Sequence, residues 1–280
     1  MNRIDVRKTY KLYIGGAFPR SESGRSYEVD DAKGKFWANA SHASRKDARD
    51  AVKAARAAFG GWSGRTAYNR GQVVYRIAEV LEDRRDQFEA ELRTAEGVTA
   101  ARARTYVDAA IDRLVWYAGW ADKIAQVTGS ANAVAGPYFN HSAPEPTGVV
   151  GILAPDEPPL LGIVSRMAPV IVGGNTTVVV ASGTHPLAAI ELAEVLATSD
   201  VPGGVVNLLT GHREELGSWL AGHMDVNALD LAGADGQTAE LEQLAAENVK
   251  RVVHGSPDGQ SPWEIASFLE LKTIWHPIGV

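Results

Sequence analysis

The sequence predicts an α/β protein built as a Rossmann-like parallel sheet with flanking helices, with an N-terminal hairpin before it and a C-terminal strand after it. Three observations carry that prediction. From Val149 onward, short β-branched runs alternate with helical stretches, the pattern of parallel strands joined by crossovers. Ahead of them, apolar residues between Ser44 and Ala125 repeat at helical spacing. Segments of strand character stand near both ends, KLYIGGAFPRSESGRSYEV early and FLELKTIW late.

The early segment places two strand-like runs around a turn-rich centre, which reads as a hairpin. Ser44 and Asp47 then form a capping box, because a hydroxyl and a carboxylate three residues apart can satisfy the free amides of a helix start. Ala48, Val52, Ala55 and Phe59 follow on one face of that helix. A second helix carries Val74, Ile77, Leu81, Phe88 and Leu92, and a third carries Val107, Ile111, Leu114, Ala118, Ala121 and Ala125. Strands are expected at 149–153, 176–180, 205–209, 229–231 and 249–253. Helices are expected at 160–172, 186–197, 214–221 and 237–246. A loop, SPDGQSPW, leads to the closing strand, which ends at His276 and Pro277. The resulting division is 1–147 (hairpin and helices), 148–262 (α/β part of the same domain) and 263–280 (terminal strand).

Composition narrows the function. The 280 residues are 45% apolar and 22% charged, an ordinary balance for a chain that buries a core. The net charge of −6 offers no basic footprint, which argues against nucleic acid or an anionic membrane surface as partner. The N-terminal stretch has no apolar run of signal-peptide type and no segment has the length to span a bilayer, so a cytoplasmic location is expected. Zero cysteines exclude disulfides, thiolate metal sites and thiol catalysis together. The seven histidines form no i, i+4 pair and sit beside no carboxylate motif, so no metal site is expected. Trp116, Tyr117 and Trp120 read as core or interface material, and Arg84, Arg85, Arg102 and Arg104, interleaved with Glu82, Asp83, Asp86 and Asp108, as a solvated helical face.

Ordered phrases of the chain resemble the aldehyde dehydrogenase superfamily: YIGGAF, AVKAARAAFGGW, YAGWADKI, PTGVVGILAP, APVIVGGNTTVVV, VPGGVVNLLTG and FLELKTIWHP. The resemblance covers most of the sequence. It implies a cofactor-type domain over residues 1–262 that passes from Ser261 and Pro262 almost directly to a closing oligomerisation strand, without the family's catalytic domain. Members of the family oxidise aldehydes through a cysteine thiolate, hydride transfer to a nicotinamide, and a glutamate-activated water. No cysteine exists here, and the glutamate's region reads His254, Gly255 and Ser256. His254 could titrate near neutrality, yet a histidine that merely ends an edge strand is the plainer account. The family's Pro-Trp-Asn-Phe-Pro element resembles Pro155-Asp156-Glu157-Pro158-Pro159, with Glu157 in place of the oxyanion-donating asparagine. Losing one such donor costs about 3 to 4 kcal/mol of transition-state stabilisation.

The nucleotide contacts depart as well. The family's ribose-binding Lys-Pro-Ser-Glu segment corresponds to Val180-Ala181-Ser182-Gly183, and its Gly-Ser-Thr-Glu-Val-Gly turn to Gly233-Ala234-Asp235-Gly236-Gln237-Thr238. Asp235 puts an anion where a pyrophosphate would approach a helix N-terminus. The expectation is therefore a pseudoenzyme with no catalytic, cofactor-binding or metal residues of its own, binding NAD weakly at most. Similarity to the degenerate second half of two-part aldehyde dehydrogenases implies a subunit that assembles with a full-length aldehyde dehydrogenase, and with a second copy of itself as a further partner. The alternative is a vestigial NAD-binding or sensing module.

Overall fold

The structure, a computed structural model, describes residues 7–279. The signal-peptide reading concerns in part Met1–Val6, which lie outside the described residues. Three sheets and ten helices account for the described chain. Strands β1 (Thr9–Tyr10), β2 (Ser26–Asp30) and β3 (Phe36–Ser41) form a small sheet in the order β1-β3-β2. Helices α1 (Arg45–Ser63), α2 (Ala67–Asp83), α3 (Arg85–Ala95), α4 (Ala100–Trp120) and α5 (Ile124–Thr128) follow. Strands β4 (Ser130–Asn132) and β5 (Tyr138–Pro146) begin a second small sheet. Next comes the α/β unit: β6 (Val149–Leu153), α6 (Pro159–Val172), β7 (Thr176–Val180), α7 (Leu187–Ala197), β8 (Val206–Leu209), α8 (Arg213–Gly222), β9 (Ala228–Asp230), α9 (Thr238–Ala246) and β10 (Arg251–Val253). The short α10 (Pro262–Ala266) and β11 (Leu269–Pro277) close the chain.

The five strands β10-β9-β6-β7-β8 are all parallel, as the β-branched runs predict. Side chains alternate across this sheet and feed two cores. Val150, Ile152, Val179 and Leu208 face α2, α4, α6 and α7. Val149, Leu153, Val178 and Val180 face α1, α8 and α9. Burial on both faces explains why these strands read as continuous apolar runs. The capping box of α1 is present: the Ser44 hydroxyl accepts from the Asp47 amide, and the Asp47 carboxylate accepts from the Ser44 amide at 2.8 Å.

Three expectations need correction. The N-terminal hairpin is made by β2 and β3, not by residues 11–29. The first run is drawn to the main sheet instead, where Tyr13 exchanges two backbone hydrogen bonds with Leu208 and so covers an exposed edge of β8. The single helix expected from Val74 to Leu92 is two, broken at Arg84, whose guanidinium pairs with Glu194 of α7 at 3.2 Å while Phe88 and Leu92 turn into the core. The repeat running to Ala125 likewise ends at Trp120, and Ala125 is exposed.

The closing strand lies where expected, but it has a partner within the chain. β11 pairs antiparallel with β5 along all nine of its residues, in a sheet ordered β11-β5-β4. Pro144, Pro146 and Pro277 cannot donate a backbone hydrogen bond, and all three fall on the same alternate set of pairs. Those are the non-hydrogen-bonded pairs of the ladder. Leu271, Thr273 and Trp275 share that set, so their amides and carbonyls point away from β5 toward the open edge. Among the described residues no helix is long and apolar enough to cross a membrane.

Candidate functional site

In an open parallel sheet, ligands lie beyond the carboxyl ends of the strands, where the strand order reverses. Here that place is the boundary between β6 and β9, framed by the loops that follow β6, β7, β9 and β10. Two arginines, neither of them singled out in the sequence, occupy it.

The first is Arg213, at the start of α8. Its guanidinium donates to the Ala154 carbonyl and to Asp156 Oδ1, both at 2.8 Å, and lies 3.9 Å from Asp235. Asp156 Oδ1 also accepts from the Ser182 hydroxyl at 2.7 Å and the Gly183 amide at 2.9 Å. Burial opposes ionisation of Asp156, but the Ser182 hydroxyl and Arg213 outweigh it and hold the carboxyl below its usual range. One network thus ties together the loops after β6 and β7 and the start of α8.

The second is Arg166, in the middle of the otherwise apolar α6 and fully buried. It pairs with Asp230 of β9 and Glu264 of α10, each at 2.6 Å. Burial works against its charge, and the two carboxylates more than restore it. Gly255 packs directly on this guanidinium, and a Cβ there would overlap it. Arg113 donates to the Ser165 hydroxyl at 2.9 Å and, beside it, to the Gly259 carbonyl, so the loop after β10 is fastened down at two points.

The residues picked out from sequence scatter around these networks. Val180 is buried within the sheet, whereas Gly183 is exposed and Glu157 points outward. Glu157 makes a neighbour a weaker acid: burial first, and this carboxylate second, push the pKa of Glu96 up to about 7. His254 Nε2 lies 2.9 Å from a carboxylate oxygen of Glu242 of α9, on the exposed outer edge. A Cβ on Gly233 would collide with the Ala154 carbonyl, so close approach of two loops accounts for that glycine. Among the described residues no group of three or more histidines and carboxylates is placed to hold a metal.

The aldehyde dehydrogenase family profile matches residues 18–274. The chain belongs to that family. It is 32% identical over 262 residues to aldehyde dehydrogenase, cytosolic 1, of Elephantulus edwardii, covering 90% of this chain and 51% of that protein. It is 33% identical over 263 residues to the cytosolic 10-formyltetrahydrofolate dehydrogenase of Pongo abelii, covering 90% and 29% respectively. The NAD+ complex of an aldehyde dehydrogenase from Bacillus cereus superposes with a TM-score of 0.82 at 27% identity, covering 88% of this chain and 50% of that one. The chain spans about half the length of the aldehyde dehydrogenases it matches.

A pyrophosphate needs free amides and cations at the helix starts, and here the Gly183 amide and the Arg213 guanidinium are both bound to Asp156. Asp235 and Glu157 add exposed negative charge on either side.

Proposed function

We propose that this chain is a non-catalytic, aldehyde dehydrogenase-like subunit that assembles with a full-length, cysteine-bearing aldehyde dehydrogenase and stabilises or regulates it. The aldehyde oxidation itself belongs to the partner. A cytoplasmic setting is part of the same proposal.

The observation that carries it is the β5–β11 ribbon. Along β11 the outward amides and carbonyls of Leu271, Thr273 and Trp275 find no strand beside them among the described residues, and Leu271, Ile274 and Trp275 are exposed. Long, regular edges of this kind invite another strand. The residues present support the reading from the other side. The sequence holds no thiol, and the guanidinium of Arg166 fills the space behind Gly255, in the region where the resemblance puts the general base.

The ladder geometry supplies a clean test. Thr273→Pro removes an outward amide and leaves the bonds to β5 in place, so the variant should fold and yet lose co-purification with a full-length aldehyde dehydrogenase expressed beside it. Unchanged recovery of the partner by a folded Thr273→Pro chain removes the argument.

A further inference from the structure

Between α1 and the end of α8 lies a cleft of about 470 Å³ that the crevice chemistry does not use. Arg45, Lys46, Arg49 and His223 line it together with Trp219, and no carboxylate does. In a chain of net charge −6 this concentration of cations around an indole is out of proportion. We propose that the cleft binds a nucleoside phosphate, with Arg45, Arg49 and the His223 ring holding the phosphoryl group and Trp219 receiving the base.

Four features support the assignment. Arg45 and Lys46 occupy the first turn of α1, where the helix dipole disfavours cations, and the only carboxylate in that turn, Asp47, is engaged with Ser44 and Ser21. Their positive field is therefore kept against local preference. Arg45 has no carboxylate at ion-pair distance among the described residues, and the pairs of Lys46 with Glu22 and Arg49 with Asp50 are exposed and cheap to rearrange. His223 Nδ1 accepts the Asp225 amide at 3.1 Å, so the neutral ring carries its hydrogen on Nε2 and can donate to an anion. Burial, and then Lys250 and Arg45, hold this imidazole below its usual range despite Asp225, which an arriving phosphate would reverse. Trp219 is half-buried, and stacking on such a ring contributes about 1 to 3 kcal/mol per base. The volume is within the range of small-molecule sites.

The cleft is distinct from the crevice, since His223 and Arg213 lie at opposite ends of the ten-residue α8, about 15 Å apart along its axis. The proposal stands whether or not the chain assembles with a partner. Calorimetric titration of the whole chain with adenosine diphosphate at low salt tests it. Saturable binding is expected, weakened at least about tenfold in Arg45→Glu/Arg49→Glu, which changes only exposed side chains, and unaffected by Arg213→Ala. In the bound state the His223 ring should titrate at higher pH by proton NMR. Absence of saturable heat at millimolar ligand overturns the proposal, as does full affinity in the double variant. Loss of binding in Arg213→Ala overturns it too, by moving the ligand to the crevice. Pyrophosphate binding as tightly as adenosine diphosphate would overturn the role given to Trp219.

Discussion

The crevice at the carboxyl ends of the parallel strands and the β5–β11 ribbon treat their polar groups in opposite ways. In the crevice, Asp156 joins Ser182 to Arg213, and Arg166 joins Asp230 to Glu264, so the loops are tied together by charge, with only Arg166 Nη2 and Arg213 Nε of the two guanidinium groups buried without a partner among the described residues. On the ribbon, Leu271, Thr273 and Trp275 leave their amides and carbonyls open among the described residues, and eight of the nine residues of β11 are exposed. The contrast teaches that one fold can close its polar groups on one another at the carboxyl end of its sheet and leave them open along a peripheral strand.

The sharpest break of this comparison is at Asp230. Asp230→Ala removes the fully buried one of the two carboxylates that hold the Arg166 charge in the core and should cost about 3 kcal/mol in denaturant unfolding. The pair Arg166→Met/Asp230→Leu should recover most of that loss, because a buried ion pair is stabilising mainly relative to half of itself. Equal losses in the two variants would mean that the seal depends on shape and not on charge.

Gly255→Ala comes next. Its methyl group displaces the Arg166 guanidinium and should cost about 1 to 3 kcal/mol by the same measurement. A neutral outcome would show that the loop after β10 yields freely.

A buried carboxylate outside the seal provides the third test. Burial first, and then Glu191, push Glu91 up to about 8, with Lys8 opposing. The folded state therefore holds a proton that the unfolded chain releases near pH 4.5. That contribution is complete below pH 4.5 and is lost as pH rises through 8. Glu91→Gln should leave stability at pH 4 unchanged, flatten its decline toward pH 8, and gain on the order of 2 kcal/mol at pH 8. Identical pH profiles for the two proteins would contradict the assignment.

The smallest effect belongs to the ribbon. Thr273→Pro should change the unfolding midpoint of the isolated chain by less than about 1 kcal/mol, whereas Lys272→Pro, one residue away, breaks a bond to β5 and should cost more. A reversed order would invert the ladder register on which the open edge rests.

Much of the fold was legible because burial on both faces leaves a strong mark. β6 and β7 were placed to the residue from their β-branched runs, and α6 within one residue. β4 and β5 were not visible. SANAVAGPYFNHSAPEP is rich in proline and polar residues, and its strands depend on pairing with a segment more than a hundred residues away. The break at Arg84 was hidden because Leu81 and Phe88 are seven apart, which keeps helical phase across a real change of direction.

At the candidate site, sequence could single out positions that differ from the pattern it resembles, yet not the side chains that surround them. A lone arginine within LLGIVSRMAPVIV was the available signal for Arg166, since a charge in a fully apolar helix demands a partner. Arg213 carried no such mark. A basic residue at a helix start is unremarkable until Asp156 is seen opposite it.

The most direct test of the account is the formation of reduced nicotinamide by the purified chain alone, given NAD and an excess of aldehyde. No turnover above the protein-free rate is predicted across a panel of aliphatic and aromatic aldehydes, with activity appearing only when a full-length aldehyde dehydrogenase is added. Sustained turnover that scales with the concentration of this chain, and survives removal of every contaminating enzyme, would contradict it.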